Sequence, residues 1–216
     1  MIVAGLNRYN QLGEESNNKN SYGYSVIIPP LKSKIDTKQL LSYSSFSQHS
    51  VWISKYGEAF AIGDNIDARI SKTLPKQLIK EPTQVIINDS QGQPFKFVSV
   101  VCGLYYTLYQ VTSQSYNDRS QLIYCYKNQE PLFLSLNEHS PVSLYGGRET
   151  AAVIETNGGI VFITNSIYAS PTKELKIINL PNEDKAIKLA CCNKFVIALG
   201  SSGKAYVASP SSDFSI

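Results

Sequence analysis

An all-β, propeller-type repeat fold is predicted by three observations on this 216-residue chain. The run Ala4, Gly5, Leu6, Asn7, Arg8, Tyr9, Asn10, Gln11, Leu12, Gly13 returns as Ala61, Ile62, Gly63, Asp64, Asn65, Ile66, Asp67, Ala68, Arg69, Ile70. A unit built around the second copy recurs in weaker form toward the C-terminus, at intervals that suit a four-stranded blade. Apolar positions alternate with period two, and β-branched and aromatic residues dominate, which is the pattern of half-buried strands.

The elements follow in chain order. Met1 to Gly13 reads as the tail half of a unit, a strand and its closing run. Glu14 to Tyr22 and Lys72 to Pro82 read as loops between blades, punctuated by Pro29, Pro30, Pro75 and Pro82. Ser16 to Asn20 is of low complexity, and only Lys32 to Leu41 and Pro75 to Ile79 suggest single helical turns. The first full unit opens with a strand at Gln39 to Ser44, bends into His49 to Ile53, turns at Gly57 and returns as Glu58 to Ile62. Gly63, Asp64 and Asn65 close it.

The second unit runs from Lys96 to Cys102, through Gly103 to Leu108, and ends near Asn128, with an insertion at its hairpin from Ser113 to Gln121. A polar insertion there disturbs no strand. The third opens at Pro141 to Tyr145, passes Gly147 and Glu149, turns at Gly158 and Gly159 and closes at Asn165. The fourth opens at Ala186 to Cys191, turns at Gly203 and returns as Lys204 to Ala208. Ser211 then stands where the closing Asn is expected, in a Ser-rich tail. Taking His49, Tyr106, Glu149 and Phe195 as equivalent anchors gives spacings of 57, 43 and 46 residues. The opening strands end in small residues (Ser44 and Ser45, Cys102 and Gly103, Gly146 and Gly147, Cys191 and Cys192), as a crowded bend against a neighbouring blade requires.

These residues resemble the repeat of the regulator of chromosome condensation family, whose units carry Gly and His at the start, Gly at the hairpin, and a closing run of Gly, Asp or Asn, Asn, Gly, Gln, Leu, Gly. The resemblance is clearest at Gly5, Asn7, Gln11, Leu12 and Gly13, and at His49, Gly57, Gly63, Asp64 and Asn65. Tyr106, Glu149 and Phe195 depart from His, and Ala68 and Ile70 depart from the closing run. The resemblance implies a β-propeller; its best-known member has seven blades, whereas the four anchors and the N-terminal strand that lacks one point here to about four, occupying residues 1–216 as one domain, with the N-terminal strand completing the last blade. Such closure removes two exposed sheet edges. An open arc that docks on a partner is the alternative.

Composition narrows the function. With 43% hydrophobic and 17% charged residues the chain is a folding sequence, not a disordered one. A formal charge of +3 without a dense Lys or Arg run does not indicate nucleic acid. No run approaches the roughly 20 apolar residues that span a bilayer, and the apolar start is too short for a signal peptide. A cytoplasmic or other intracellular protein is expected, with Cys102, Cys125, Cys191 and Cys192 as small buried residues.

No motif announces catalysis, metal or cofactor. His49 and His139 are the only histidines, and neither has a carboxylate or Cys cluster at ligand spacing. His49 reads as a repeat position that bonds a neighbouring blade. Asp64 and Asn65 read as turn caps before they read as a binding rim with Asp67 and Arg69. Gly158 and Gly159 form a hairpin turn, because the helix and Lys of a phosphate loop are missing. Tyr105, Tyr106, Tyr109, Tyr116, Tyr124 and Tyr126 cluster in one blade with Phe133, chiefly as core. The inserted hairpin, with Ser113, Tyr116, Asn117, Asp118 and Arg119, is the expected partner contact. The expected function is a non-catalytic interaction or architectural subunit. The resemblance implies an alternative, guanine-nucleotide exchange on a small GTPase.

Overall fold

The computed structural model describes residues 2–4, 24–26, 40–113, 120–134, 141–164, 175, 177–193, 195–209 and 212–215. Strands form where the alternation is sustained. β1 (Ile2–Ala4) and β2 (Tyr24–Val26) make an antiparallel pair. Sixteen further strands form four antiparallel sheets in simple meander order. The first blade is β3 (Leu40–Phe46), β4 (His49–Ser54), β5 (Ala59–Asp64) and β6 (Leu78–Val85). The second is β7 (Lys96–Cys102), β8 (Tyr106–Thr112), β9 (Ser120–Tyr126) and β10 (Leu132–Leu134). The third is β11 (Pro141–Gly146), β12 (Thr150–Glu155), β13 (Ile160–Thr164) and β14 (Ile177–Ile178). The fourth is β15 (Ala186–Cys191), β16 (Val196–Gly200), β17 (Ala205–Ser209) and β18 (Ser212–Ser215).

One irregularity recurs in every blade and fixes the equivalences between them. The first strand slips by one residue against the second, between Leu40 and Ser42, Phe97 and Ser99, Pro141 and Ser143, and Ala186 and Lys188. A bulge of this kind raises the local twist and pins the register. Counting from it, His49, Tyr106, Thr150 and Phe195 occupy one position. Thr150 therefore replaces Glu149 as the third anchor: Arg148 and Glu149 lie exposed in the turn, and Thr150 begins the strand.

Three apolar clusters hold the blades face to face. Val51, Ile53, Ala59 and Ala61 of the first blade meet Phe97, Val100, Tyr109, Val111 and Ile123 of the second. Leu108, Leu122 and Tyr124 meet Ala151, Val153, Val161 and Ile163 of the third. Ala152, Ile154, Ile160 and Phe162 meet Leu189, Val196, Ala198 and Tyr206 of the fourth. Burying one such side chain contributes about 1.5–3 kcal/mol. Among the described residues no cluster joins the fourth blade to the first.

Three expectations are corrected. The fourth strand of the last blade is β18, paired on β17, so the N-terminal strand does not complete that blade; β1 pairs with β2 instead. The physical reason is that a Ser-rich edge strand needs only its backbone to pair. Lys72 to Pro82 is not wholly loop, and Pro75 to Ile79 is not a helical turn, because β6 starts at Leu78. Pro82 is accommodated on this outer strand, where one backbone edge needs no N–H partner. The only helical turn among the described residues is a 3-10 turn at Pro181–Glu183.

Candidate functional site

Each blade presents two rims. At one, the hairpins between second and third strands turn at Gly57, Gly158 and Gly203; at the other, the chain enters each second strand and leaves each third. The entry rim carries the densest chemistry, at the junction of the first and second blades.

Its frame is the loop after β5. Asn65, fully buried, donates through Nδ2 to the carbonyl of Ser71 (3.0 Å) and to that of Pro75 (3.1 Å), and its Oδ1 accepts from the backbone N–H of Ile70 (3.0 Å). One amide side chain thus ties a loop of about ten residues. Asp64 Oδ1 accepts from the Ile66 N–H at 2.8 Å, an Asx turn. The loop delivers Arg69 to a pocket where Nε and Nη2 donate to the two oxygens of Asp67 at 2.7 and 2.9 Å. Asp64 Oδ2 lies 3.4 Å from Nη2, Nη1 donates to the Leu104 carbonyl at 2.9 Å, and Nη1 also donates to Gln48. The guanidinium is buried, and its planar fork matches a carboxylate with two parallel bonds.

Above it sits Tyr105. Its half-buried ring lies 5.4 Å from the Arg69 guanidinium carbon and 4.9 Å from Lys127 Nζ, so two cations face one aromatic ring. Neighbouring loops are stitched to this platform: Asn128 N–H donates to the Asp67 carbonyl, Lys127 N–H to the Tyr105 carbonyl, and Leu104 N–H to the Arg148 carbonyl in the third blade. Lys72 pairs with Glu130 across the same junction, and Ile66 is exposed beside it. A fixed surface of Tyr105, Lys127 and Ile66, braced from beneath by the buried Arg69, can bind a protein with little ordering cost.

Beneath the rim the anchors reach between blades. His49 Nε2 bonds Thr107 Oγ1 at 2.9 Å; Tyr106 Oη donates to the carbonyls of Gly147 and Thr150, both at 3.0 Å; Thr150 Oγ1 donates to the Asn193 carbonyl at 3.0 Å. Complete burial, aided by the Arg69 charge, pushes the His49 pKa down to about 3, so the ring is neutral at physiological pH. Burial also raises the Cys102, Cys125 and Cys191 thiols to about 12, far from the reactive thiolate. Among the described residues no group of three His, Cys, Asp or Glu could hold a metal ion.

Placed on this geometry, Asp64 and Asn65 belong to the entry rim as loop supports, and Asp67 and Arg69 are consumed by their mutual pairing. Gly63 packs against Gln48 and His49 with φ +105°, where a Cβ would lie 2.7 Å from His49 Cα. A Cβ on Gly147 would lie 2.5 Å from the Cys192 carbonyl oxygen of the fourth blade, the close approach that the small-residue pattern indicates. Gly103 is buried beside Tyr106. Ser113 is buried and donates to Asp89 at 2.6 Å, so its side chain offers no contact surface. Gly5, Asn7, Gly13, Tyr116, Asn117, Asp118, Arg119, His139 and Asn165 lie outside the described residues. Tyr106, Tyr109 and Tyr124 are core. Tyr105 is the site residue that sequence reading left among them; its position directly before the anchor is the signal that separates it.

No protein-family model and no curated protein sequence matches the chain. Solved structures do resemble it. Human WBSCR16 superposes over 96% of this chain and 56% of its own, at a TM-score of 0.66 and 16% identity. Prp20p from Saccharomyces cerevisiae, described with its binding properties to Gsp1p and histones, superposes over 95% and 52%, at 0.65 and 12%. Yeast RCC1 (Prp20) bound to Kap60 gives 79% and 43%, at 0.55 and 10%. The chain spans about half the length of these structures. The likeness establishes the fold, an RCC1-like β-propeller. No helix among the described residues is long and apolar enough to cross a membrane.

Proposed function

We propose that this RCC1-like β-propeller chain is a non-catalytic protein-interaction or architectural subunit, with residues 1–216 acting as one propeller unit inside the cell. The observation that carries the reading is the Tyr105 platform. Its ring and Lys127 sit on loops held by backbone bonds from three consecutive blades, with the buried Arg69 bracing the ring, and such pre-organised aromatic and basic groups are the usual centres of binding energy in protein interfaces. The inserted hairpin, through Tyr116, Asn117, Asp118 and Arg119, supplies a second contact in this reading.

Affinity purification from native extract, read by mass spectrometry, tests this. A Tyr105→Ala, Lys127→Ala variant should lose a partner that the wild type retains, and replacing residues 114–119 by a short Gly-containing turn should weaken capture with the fold intact. An unchanged partner set in both variants rejects the reading. The alternative, exchange on a small GTPase, draws support from the likeness to Prp20p, described with its binding to Gsp1p. Accelerated release of a fluorescent guanine nucleotide from a candidate GTPase would establish it in place of the first reading.

A further inference from the structure

The fourth blade repeats, position for position, the surface by which each earlier blade holds its successor. Bulge and register align Val51, Leu108, Ala152 and Ile197 on the second strands, and Ala61, Tyr124, Phe162 and Val207 opposite them on the third. The first three of each set lie in the clusters shared with the next blade. Ile197 and Val207 are 39% and 44% exposed. Leu199, 38% exposed, takes the place that Ile53 and Ile154 fill in those clusters. Phe195 holds the anchor position of His49, Tyr106 and Thr150, each of which bonds the following blade, and it is 40% exposed.

The hairpin rim tells the same story from backbone geometry. The Gly57 and Gly158 carbonyls accept the N–H of Phe97 and Ala186 in the following blades. A Cβ on Gly57 would lie 3.1 Å from Lys96 Cβ, and one on Gly158 2.7 Å from Lys185 Cβ; at Gly203 nothing lies within 4 Å.

We propose that the face formed by Phe195, Ile197, Leu199 and Val207 is a blade-docking surface, which receives a further blade of this repeat type carried on a polypeptide other than a second copy of residues 1–216. Continuity with three existing interfaces gives the occupant its chemistry: an antiparallel sheet whose facing strands present apolar side chains, as Tyr109, Val153 and Ala198 do. The anchor refines it. His49, Tyr106 and Thr150 meet hydroxyl or carbonyl oxygens, whereas Phe195 forms no hydrogen bond through its side chain, so the incoming blade offers it an apolar socket.

A second copy is disfavoured because its receiving faces are taken. Those of the second, third and fourth blades are covered by the blades before them, and in the first blade Ser50, Trp52 and Ser54, the equivalents of Thr107, Tyr109 and Val111, are already buried. The proposal deepens the interaction-subunit reading by naming a class of partner, and it uses a different surface.

A photo-crosslinking p-benzoylphenylalanine in place of Leu199, in the full chain expressed in its native cells, tests it. The expected adduct, mapped by peptide mass spectrometry, lies on a strand of a repeat of this type, and Ile197→Glu with Val207→Glu reduces its yield about tenfold. Tyr105→Ala leaves the yield unchanged, which separates this proposal from the entry-rim reading. Adducts to a second copy, to a polypeptide without the repeat, or no adduct above that of the probe at exposed Gly92 overturn it. Sedimentation of the purified chain adds a second readout: a monomer is expected, and a dimer dispersed by Ile197→Glu overturns the proposal.

Discussion

His49 Nε2 and Thr107 Oγ1, 58 residues apart in sequence, meet at 2.9 Å across the junction of two blades with no solvent access to the ring. Because burial lowers the folded-state pKa of His49 to about 3 from the ordinary 6.5, the unfolded chain binds the extra proton between those values. Stability from this group is therefore complete above pH 6.5 and falls as pH drops toward 3. Between pH 7 and pH 5 the wild type should lose about 2 kcal/mol more than His49→Gln, at about 1.4 kcal/mol per unit of separation. Urea unfolding of both proteins at the two pH values measures the difference, and parallel behaviour would refute it.

Gly63→Ala should cost several times what Gly92→Ala costs. Both glycines have positive φ, but a Cβ at Gly63 enters the backbone of Gln48 and His49, whereas Gly92 has nothing within 4 Å. About 1 kcal/mol is expected at Gly92 from the backbone alone and roughly 3 kcal/mol or more at Gly63. Thermal melts rank the two.

Tyr106→Phe removes a hydroxyl that serves two carbonyls of the third blade, Gly147 and Thr150, and leaves the buried ring in place. A loss of about 1–3 kcal/mol is expected. Hydrogen exchange at the start of β12 should quicken more than exchange in β4; uniform quickening would mean that the hydroxyl does not act at this junction.

Arg69→Met strands the carboxylates of Asp67 and Asp64 beside an apolar side chain. Removing one partner of a buried pair costs about 3–5 kcal/mol. The same change withdraws one of the two cations from Tyr105, so a shift in Tyr fluorescence should accompany the loss of stability in the denaturant curve.

What the sequence shows and what it hides follow from which interactions are local. Gly57, Gly63 and Asn65 are legible because a turn or a loop of about ten residues places a direct demand on one side chain. Thr150 is missed by one position because Arg148 and Glu149 carry no turn marker, and its register is set by pairing with β13 and by a bulge eight residues earlier on β11. β6 and β18 are hidden because outer strands pair through backbone alone: Lys80, Glu81 and Pro82 look like a loop, and Ser212 to Ser215 looks like a tail. Arg69 reads as a rim charge until the fold brings Leu104, 35 residues away, onto its guanidinium.

The anchors share a direction. His49 reaches to the second blade, Tyr106 to the third and Thr150 to the fourth, always toward the C-terminus. A ribosome releases the anchors in that order, each before the atoms that it will meet, so every newly made blade is secured by the one synthesised after it. The row of blades is thus assembled like a zip with a single sense, in which the youngest tooth is always the loosest and the next one locks it.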